Sequence, residues 1–267
     1  MKFPSLPLKD GNSIPLIGFG TGTAWYKEDP EEPLNRDLID ILKAAIERGF
    51  RHIDASDTCG TEEKVGVAIK ECGIPPEEIF VTTKVFGGFY EIRGHIWLSM
   101  EQVKASGKAK SIGVSDHQRL HIEEILKVAT IIPALNQLEF HPYLQRAHDY
   151  LPWMRGHGIE VASSNELTPI TKARPGPLDN MLAEIAARHQ VSENAVLISW
   201  QIAQSIVVTT TTMKVGRLED YAAAVQLKLS MDEQEKITQV GLAHHLRDWL
   251  LTVSIPMIDP SFLIHIW

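Results

Sequence analysis

Short β-branched or apolar runs alternate with longer helical patterns from one end of the chain to the other, and no linker interrupts them. That rhythm is the signature of βα units wound about a parallel sheet, in which strands are buried on both faces and helices cover them. Strands are expected at 16–20, 52–54, 79–85, 111–114, 134–139, 159–163 and 206–210, the first preceded by a turn at Asp10-Gly11. A helix between the first two strands carries Leu38, Ile41, Leu42, Ala45 and Ile46 on one face and ends at Gly49. The next puts Val65, Ala68, Ile69 and Cys72 together, which makes Cys72 a core residue rather than a reactive one. Further helices are expected at 97–104, 122–128 and near 150–155, and a long one runs from the face of Leu178, Met181, Leu182 and Ile185 through 193–203.

These expectations supply seven strands, whereas a closed β/α-barrel takes eight. The interval from Phe86 to Ile96 is too short for a helix and a strand, so one βα unit is missing after the third strand. Three closures are open: a seven-stranded barrel, a stub strand at 89–92, or a gap buried against a second copy. An exposed sheet edge favours association, so a homo-oligomer is expected. The fold class expected is thus a parallel (β/α) barrel, one domain over 1–267, short of one unit.

With 267 residues, 44% of them hydrophobic and 22% charged, the chain can bury a large core. A net charge of −8 with scattered Lys and Arg provides no basic face for nucleic acid. The N-terminus shows no signal-peptide core and no apolar run reaches membrane-span length, so a cytoplasmic protein is expected. Two cysteines make no disulfide framework, and the histidines, His52, His141, His157, His244 and His245 among them, lack zinc-ligand spacing, so no metal is expected.

In β/α-barrels the reacting groups sit at the C-terminal ends of the strands. That rule alone selects Gly20-Thr21, Asp54, Lys84, Ser115-Asp116, Gln137 and Ser163-Ser164. Asp54 and Lys84 matter most, because a carboxylate and an ammonium inside a barrel must pair. The pair is either a structural ion pair or a field that tunes a nearby acid, and position alone leaves both open.

Several long blocks in order, Ile17-Gly18-Phe19-Gly20-Thr21-Gly22-Thr23, Arg51-His52-Ile53-Asp54, Val81-Thr82-Thr83-Lys84, Ser111-Ile112-Gly113-Val114-Ser115 and Asn136-Gln137-Leu138-Glu139-Phe140-His141-Pro142-Tyr143, closely resemble the aldo-keto reductase superfamily. The stretch 168–179 and the tail His245-Leu246-Arg247-Asp248-Trp249 are similar to its fungal branch that includes conjugated polyketone reductases. The resemblance implies an eight-stranded barrel, NADP(H) bound extended, and hydride transfer to an aldehyde or ketone, a carbonyl or polyketide-like small molecule, in fungal secondary metabolism. It implies that the loop holding Thr210, Thr211 and Thr212 lies against the cofactor, that Lys214 and Arg217 hold its 2′-phosphate, and that Ser115 and Gln137 bind the nicotinamide carboxamide. The plain reading of Lys214 and Arg217 is two solvated charges opening a helix at 218–225. Gly20, Thr21 and Trp25 would line the cofactor and substrate mouth.

The departures fall at the chemistry. Cys59 stands at the family's proton-donating tyrosine, Asp116 at its carboxamide-binding asparagine and Ser164 at the tyrosine that stacks on nicotinamide, while its catalytic histidine belongs to the missing strand. Cys59, beside Lys84, is expected to be a thiolate, a nucleophile or base rather than an acid. Losing the acid costs about 10²–10⁴-fold in rate. Three functions are therefore open: a reductase of activated carbonyls with impaired proton donation, a non-redox isomerase, cyclase or dehydratase in the same pocket, and a non-catalytic binder.

Overall fold

A computed structural model describes residues 3–26, 34–86, 93–146, 149–248 and, as backbone, 263–266. A hairpin of β1 (Ser5–Pro7) and β2 (Ser13–Pro15) turns at residues 9–11. Seven parallel strands follow: β3 (Ile17–Gly20), β4 (His52–Asp54), β5 (Phe80–Phe86), β6 (Ile112–Ser115), β7 (Leu135–Glu139), β8 (Glu160–Ser164) and β9 (Val207–Thr210). They are the seven expected, with ends moved by a residue.

The eighth place in the barrel is taken from the C-terminus. β10 (Leu263–Ile266) lies between β5 and β6, antiparallel to both, and closes the order β10-β5-β4-β3-β9-β8-β7-β6. None of the three expected closures is the one found, and the stub at 89–92 lies outside the described residues. With the edges of β5 and β6 covered by the chain's own tail, the open edge that argued for association is gone.

Helices clothe the sheet. α1 (Arg36–Glu47) starts where the Asn35 side chain accepts from the Leu38 N–H at 3.1 Å, and it buries Leu38, Ile39, Ile41, Leu42, Ala45 and Ile46. Each of the Leu and Ile side chains contributes about 1.5–3 kcal/mol of burial. α2 (Glu62–Glu71) ends at Cys72, which packs partly buried against the same cluster. α3 (Arg93–Ala105), α4 (Arg119–Leu126) and α5 (Tyr150–Gly156) lead to α6 (Thr168–Thr171) and then to two helices where one was expected. α7 (Asp179–His189) stops at Gln190, whose φ of 55° is left-handed, and α8 (Glu193–Ala203) restarts under the Ser192 cap. α9 (Val215–Gln226) begins earlier than expected, and α10 (Met231–Leu242) opens with a Ser230–Glu233 capping box.

The core has three parts. One joins α1, α2 and α9 to β3 and β4, a second joins α3, α4, α7 and α8 to β6 and β8, and a third packs Leu8 and Ile14 onto Leu16, Leu135 and Val207, where the hairpin stops the N-terminal end. The opposite end is left for chemistry. No helix among the described residues is long and apolar enough to cross a membrane.

Candidate active site

Asp54 and Lys84 end up paired inside the barrel. Lys84 Nζ donates to Asp54 Oδ1 at 2.5 Å and to the Ala55 carbonyl at 2.9 Å, and both side chains are almost wholly buried. Gln137 Nε2 donates to the other carboxylate oxygen at 3.2 Å and to Thr209 Oγ1 at 3.3 Å. β4, β5, β7 and β9 thus each contribute one polar residue to one cluster, and the pair is neither isolated nor solvated. Below it His52 bonds Thr82 at 2.9 Å and is pushed down to about 4, by burial first and by Lys84 against the pull of Asp54. Gly18 makes room for that ring, since a Cβ there would sit 2.5 Å from His52 Nδ1.

Cys59 closes a short 3₁₀ turn beside this cluster, about 3.4 Å from where a Cβ on Gly22 would lie. Its expected thiolate is corrected by the structure. Burial raises the Cys59 thiol above its ordinary range, and the pull of Lys84 is opposed by Asp54. The sequence shows the cation next door but not that its charge is already answered, so the partly buried sulfur keeps its proton.

Beyond the cluster runs a groove of about 410 Å³ at the C-terminal ends of the strands. It is lined by Gly20, Gly22 and Thr23, by Asp54 and Gln137, by residues 164–168, and by Thr209, Thr211, Arg217 and Tyr221. Gly20 is tight against its neighbour, a Cβ there meeting Thr209 Cγ2 at 3.1 Å. A larger cavity, about 750 Å³, lies at the opposite end by the hairpin and holds none of the paired groups.

The groove gathers only some of the residues singled out in the sequence. Gly20, Asp54, Gln137, Ser164, Thr211 and Arg217 line it. Thr21 is buried behind it, bonding Thr61 at 2.7 Å, and Trp25 is a core residue rather than a mouth residue. Ser115 donates to the Gln137 carbonyl at 3.1 Å, and Thr210 to the Gly18 carbonyl at 3.4 Å, so both hold strands together. Thr212 accepts from the Lys214 N–H at 3.0 Å, and Lys214 itself is exposed just ahead of α9. Asp116, with φ 52°, lies near Arg146, Arg247 and Glu139; burial pushes its carboxyl up to about 7 although both arginines pull it down. It does not carry the full negative charge expected of it at neutral pH. Among the described residues no group of three or more His, Cys, Asp or Glu could hold a metal.

Glu166 was not foreseen. It lines the groove after β8, close to Tyr221, and Gln201 fixes its backbone by donating to its carbonyl at 3.2 Å. Burial pushes the Glu166 carboxyl up to about 8. In the unfolded chain it ionises near its ordinary value of 4.5, so stability is lost as pH rises from there through the folded value. Glu166→Gln is therefore expected to match the parent near pH 4.5 and to exceed it at pH 8.5, on the order of 3 kcal/mol in urea melts. Equal stability at both pH values would contradict the buried, protonated carboxyl.

A sequence model described as the aldo/keto reductase family matches residues 16–96 and 93–241. The chain belongs to the aldo/keto reductase family. The two stretches meet at 93–96, where the regular βα rhythm breaks. Among curated relatives, the NAD/NADP-dependent indole-3-acetaldehyde reductase of Schizosaccharomyces pombe is 30% identical, over 90% of this chain and 96% of its own length. The NADPH-dependent alpha-keto amide reductase of Saccharomyces cerevisiae is also 30% identical, over 89% and 90%. An aldo-keto reductase from a Medee basin deep-sea metagenome library matches with a TM-score of 0.77 and 26% identity, covering 91% of this chain and 97% of its own. The Bombyx mori aldo-keto reductase in complex with NADP shares the fold at TM-score 0.78 and 22% identity, covering 90% and 93%.

Proposed function

We propose that this aldo/keto reductase reduces an activated aldehyde or ketone with NADP(H). The observation that carries the reading is one groove lined both by Asp54 and Gln137, which are held in a buried cluster with Lys84, and by Arg217 and Thr211. Thr211 Oγ1 is buried without a hydrogen-bond partner, an arrangement that costs about 1–3 kcal/mol unless a ligand supplies one. Arg217 offers a guanidinium fork for a phosphate, and Gln137 sits where a carboxamide could be met. These residues fit the dinucleotide, whose reduced nicotinamide supplies a hydride when bound. The two yeast relatives, named for aldehyde and keto amide reduction with NADP-type cofactors, support the same reading and the fungal placement.

The chain's own part is proton management. Lys84 stands beside Cys59, so a negative charge forming on a carbonyl oxygen or left on the sulfur is held near an ammonium. The protonated Cys59 thiol can give its proton to that oxygen and recover one from water. A thiol is a short, weak donor, and Ser164 provides no flat ring against the nicotinamide. Turnover is therefore expected to need a carbonyl already activated, such as a diketone or keto amide.

Purified protein should quench NADPH fluorescence and oxidise NADPH with a 1,2-diketone. Arg217→Ala should weaken NADPH binding about 10–100-fold, with little change for NADH, which lacks the 2′-phosphate. Equal losses for both cofactors would remove Arg217 from the phosphate. Tight NADPH binding without turnover of any diketone would favour the non-redox or binding readings, which the exchange of a phenol for Cys59 also supports.

A further inference from the structure

Two arginines meet near the groove with little to answer their charge. Arg146, between β7 and α5, and Arg247, after α10, are both half-buried, and each lies close enough to Asp116 to pull on its carboxyl. Burial first, and then Arg247, hold the Arg146 guanidinium below its ordinary value, so two like charges share a place short of water. Their hydrogen bonds do not neutralise them. Arg146 uses Nε on the Glu139 carbonyl at 3.3 Å, and Arg247 Nε is buried without a partner. Among the described residues no hydrogen bond joins either guanidinium to a carboxylate. The nearby acids answer other groups: Glu139 bonds His141 at 3.0 Å and accepts the Asp248 N–H at 2.7 Å, while the Asp248 carboxylate accepts from Lys172 at 2.7 Å. That leaves Asp116, whose carboxyl, pushed up to about 7, carries only part of a charge at neutral pH. Desolvated cations without a full counter-charge are unfavourable unless an anion completes them.

The arginines are tied to the reaction centre through β7. Side chains alternate along a strand, so Gln137 and Glu139 share a face, Glu139 lying on the order of 7 Å farther toward the C-terminal end. Gln137 lines the groove and bonds Asp54, and its carbonyl accepts the Asp116 N–H at 2.7 Å. Lys172, which holds Asp248 next to Arg247, lines the same groove.

We infer that Arg146 and Arg247 form a carboxylate-binding subsite, so that the substrate is a carbonyl acid whose carboxylate is held at the end of β7 while its carbonyl meets Lys84 and Cys59. The inference rests on the reductase reading for the reacting carbonyl, and on the arginines alone for the acid. Two guanidinium forks match the two oxygens of a carboxylate and reject an ester, which brings no charge to them. Asp116 competes for the same cations, and a bound carboxylate keeps it protonated.

The test compares 4-formylbenzoate with its uncharged methyl ester. Calorimetry with NADP⁺ in place of NADPH, and again with no cofactor, measures binding while no reduction intervenes. The parent should hold the acid about 10–100-fold more tightly than the ester. Arg247→Gln and Arg146→Gln should each bring the two within about threefold, and Asp116→Asn, which removes the competing carboxyl, should favour the acid further. In NADPH-dependent reduction, Arg247→Gln should raise KM for the acid far more than for the ester, a difference that a merely structural role would not produce. A parent that binds the acid no better than the ester overturns the subsite, and an acid preference that survives both glutamine variants overturns its placement. A parent that prefers the acid yet oxidises no NADPH would sink the reductase reading alone.

Discussion

Lys84→Met is expected to destabilise the protein by about 3–5 kcal/mol. At about 2–4 °C per kcal/mol for a chain of this size, the melting temperature should fall on the order of 10 °C. The effect is large because the two side chains are only 8% and 9% exposed and the carboxylate of Asp54 would keep a single polar partner, Gln137. Removing one member of a buried pair leaves the other desolvated and unanswered, which costs more than the pair itself contributes. Replacing both should be far milder: Lys84→Met with Asp54→Leu is expected within about 1–2 kcal/mol of the parent, because buried pairs and apolar residues of similar volume are often equivalent. Neither variant should reduce a carbonyl, since both lack the cation beside Cys59. Calorimetry on the two variants decides it, and a single mutant as stable as the parent would mean that water reaches the pair.

Ending the chain at residue 262 should be more damaging still. β10 pairs with β5 from Phe86 to Thr83 and with β6 from Val114 to Ile112, so its removal frees two strand edges at once and opens the barrel interior. Unpaired edges recruit other strands, and the lost pairing is comparable with the whole stability of an ordinary domain, about 5–15 kcal/mol. The truncated chain should lose its cooperative thermal transition or sediment as aggregates. A synthetic peptide of residues 258–267 added in trans should restore a monomer. A truncated protein that stays monomeric with an unaltered melting temperature would show that the barrel closes without its tail.

Both expectations depend on features unequally legible in the sequence. The paired Asp54 and Lys84 could be anticipated, because both fall at the ends of short apolar runs and a parallel barrel turns those ends to one face. Gln137, Gly20 and Ser164 followed by the same rule. Glu166 did not, since nothing in a loop sequence says which side chain turns into a groove. The state of Cys59 was not legible, because it depends on the sum of Lys84, Asp54 and lost water, and residue order shows only the first. Gln190 split one expected helix in two, a left-handed turn by a residue that carries no helix-breaking signal.

From residue order alone came the seven parallel strands, the helices between them, the break after the third barrel strand and the side on which polar groups collect. All of these follow from periodicities of two and 3.6 residues, which report local backbone geometry. Only the folded chain decided that Leu263–Ile266 fills the vacant place, and that it does so upside down beside Lys84. Three apolar residues and a histidine far from their partners announce a strand at most; which edges they join depends on where the other strands have left hydrogen-bonding groups unmet, and that is a property of the assembled barrel.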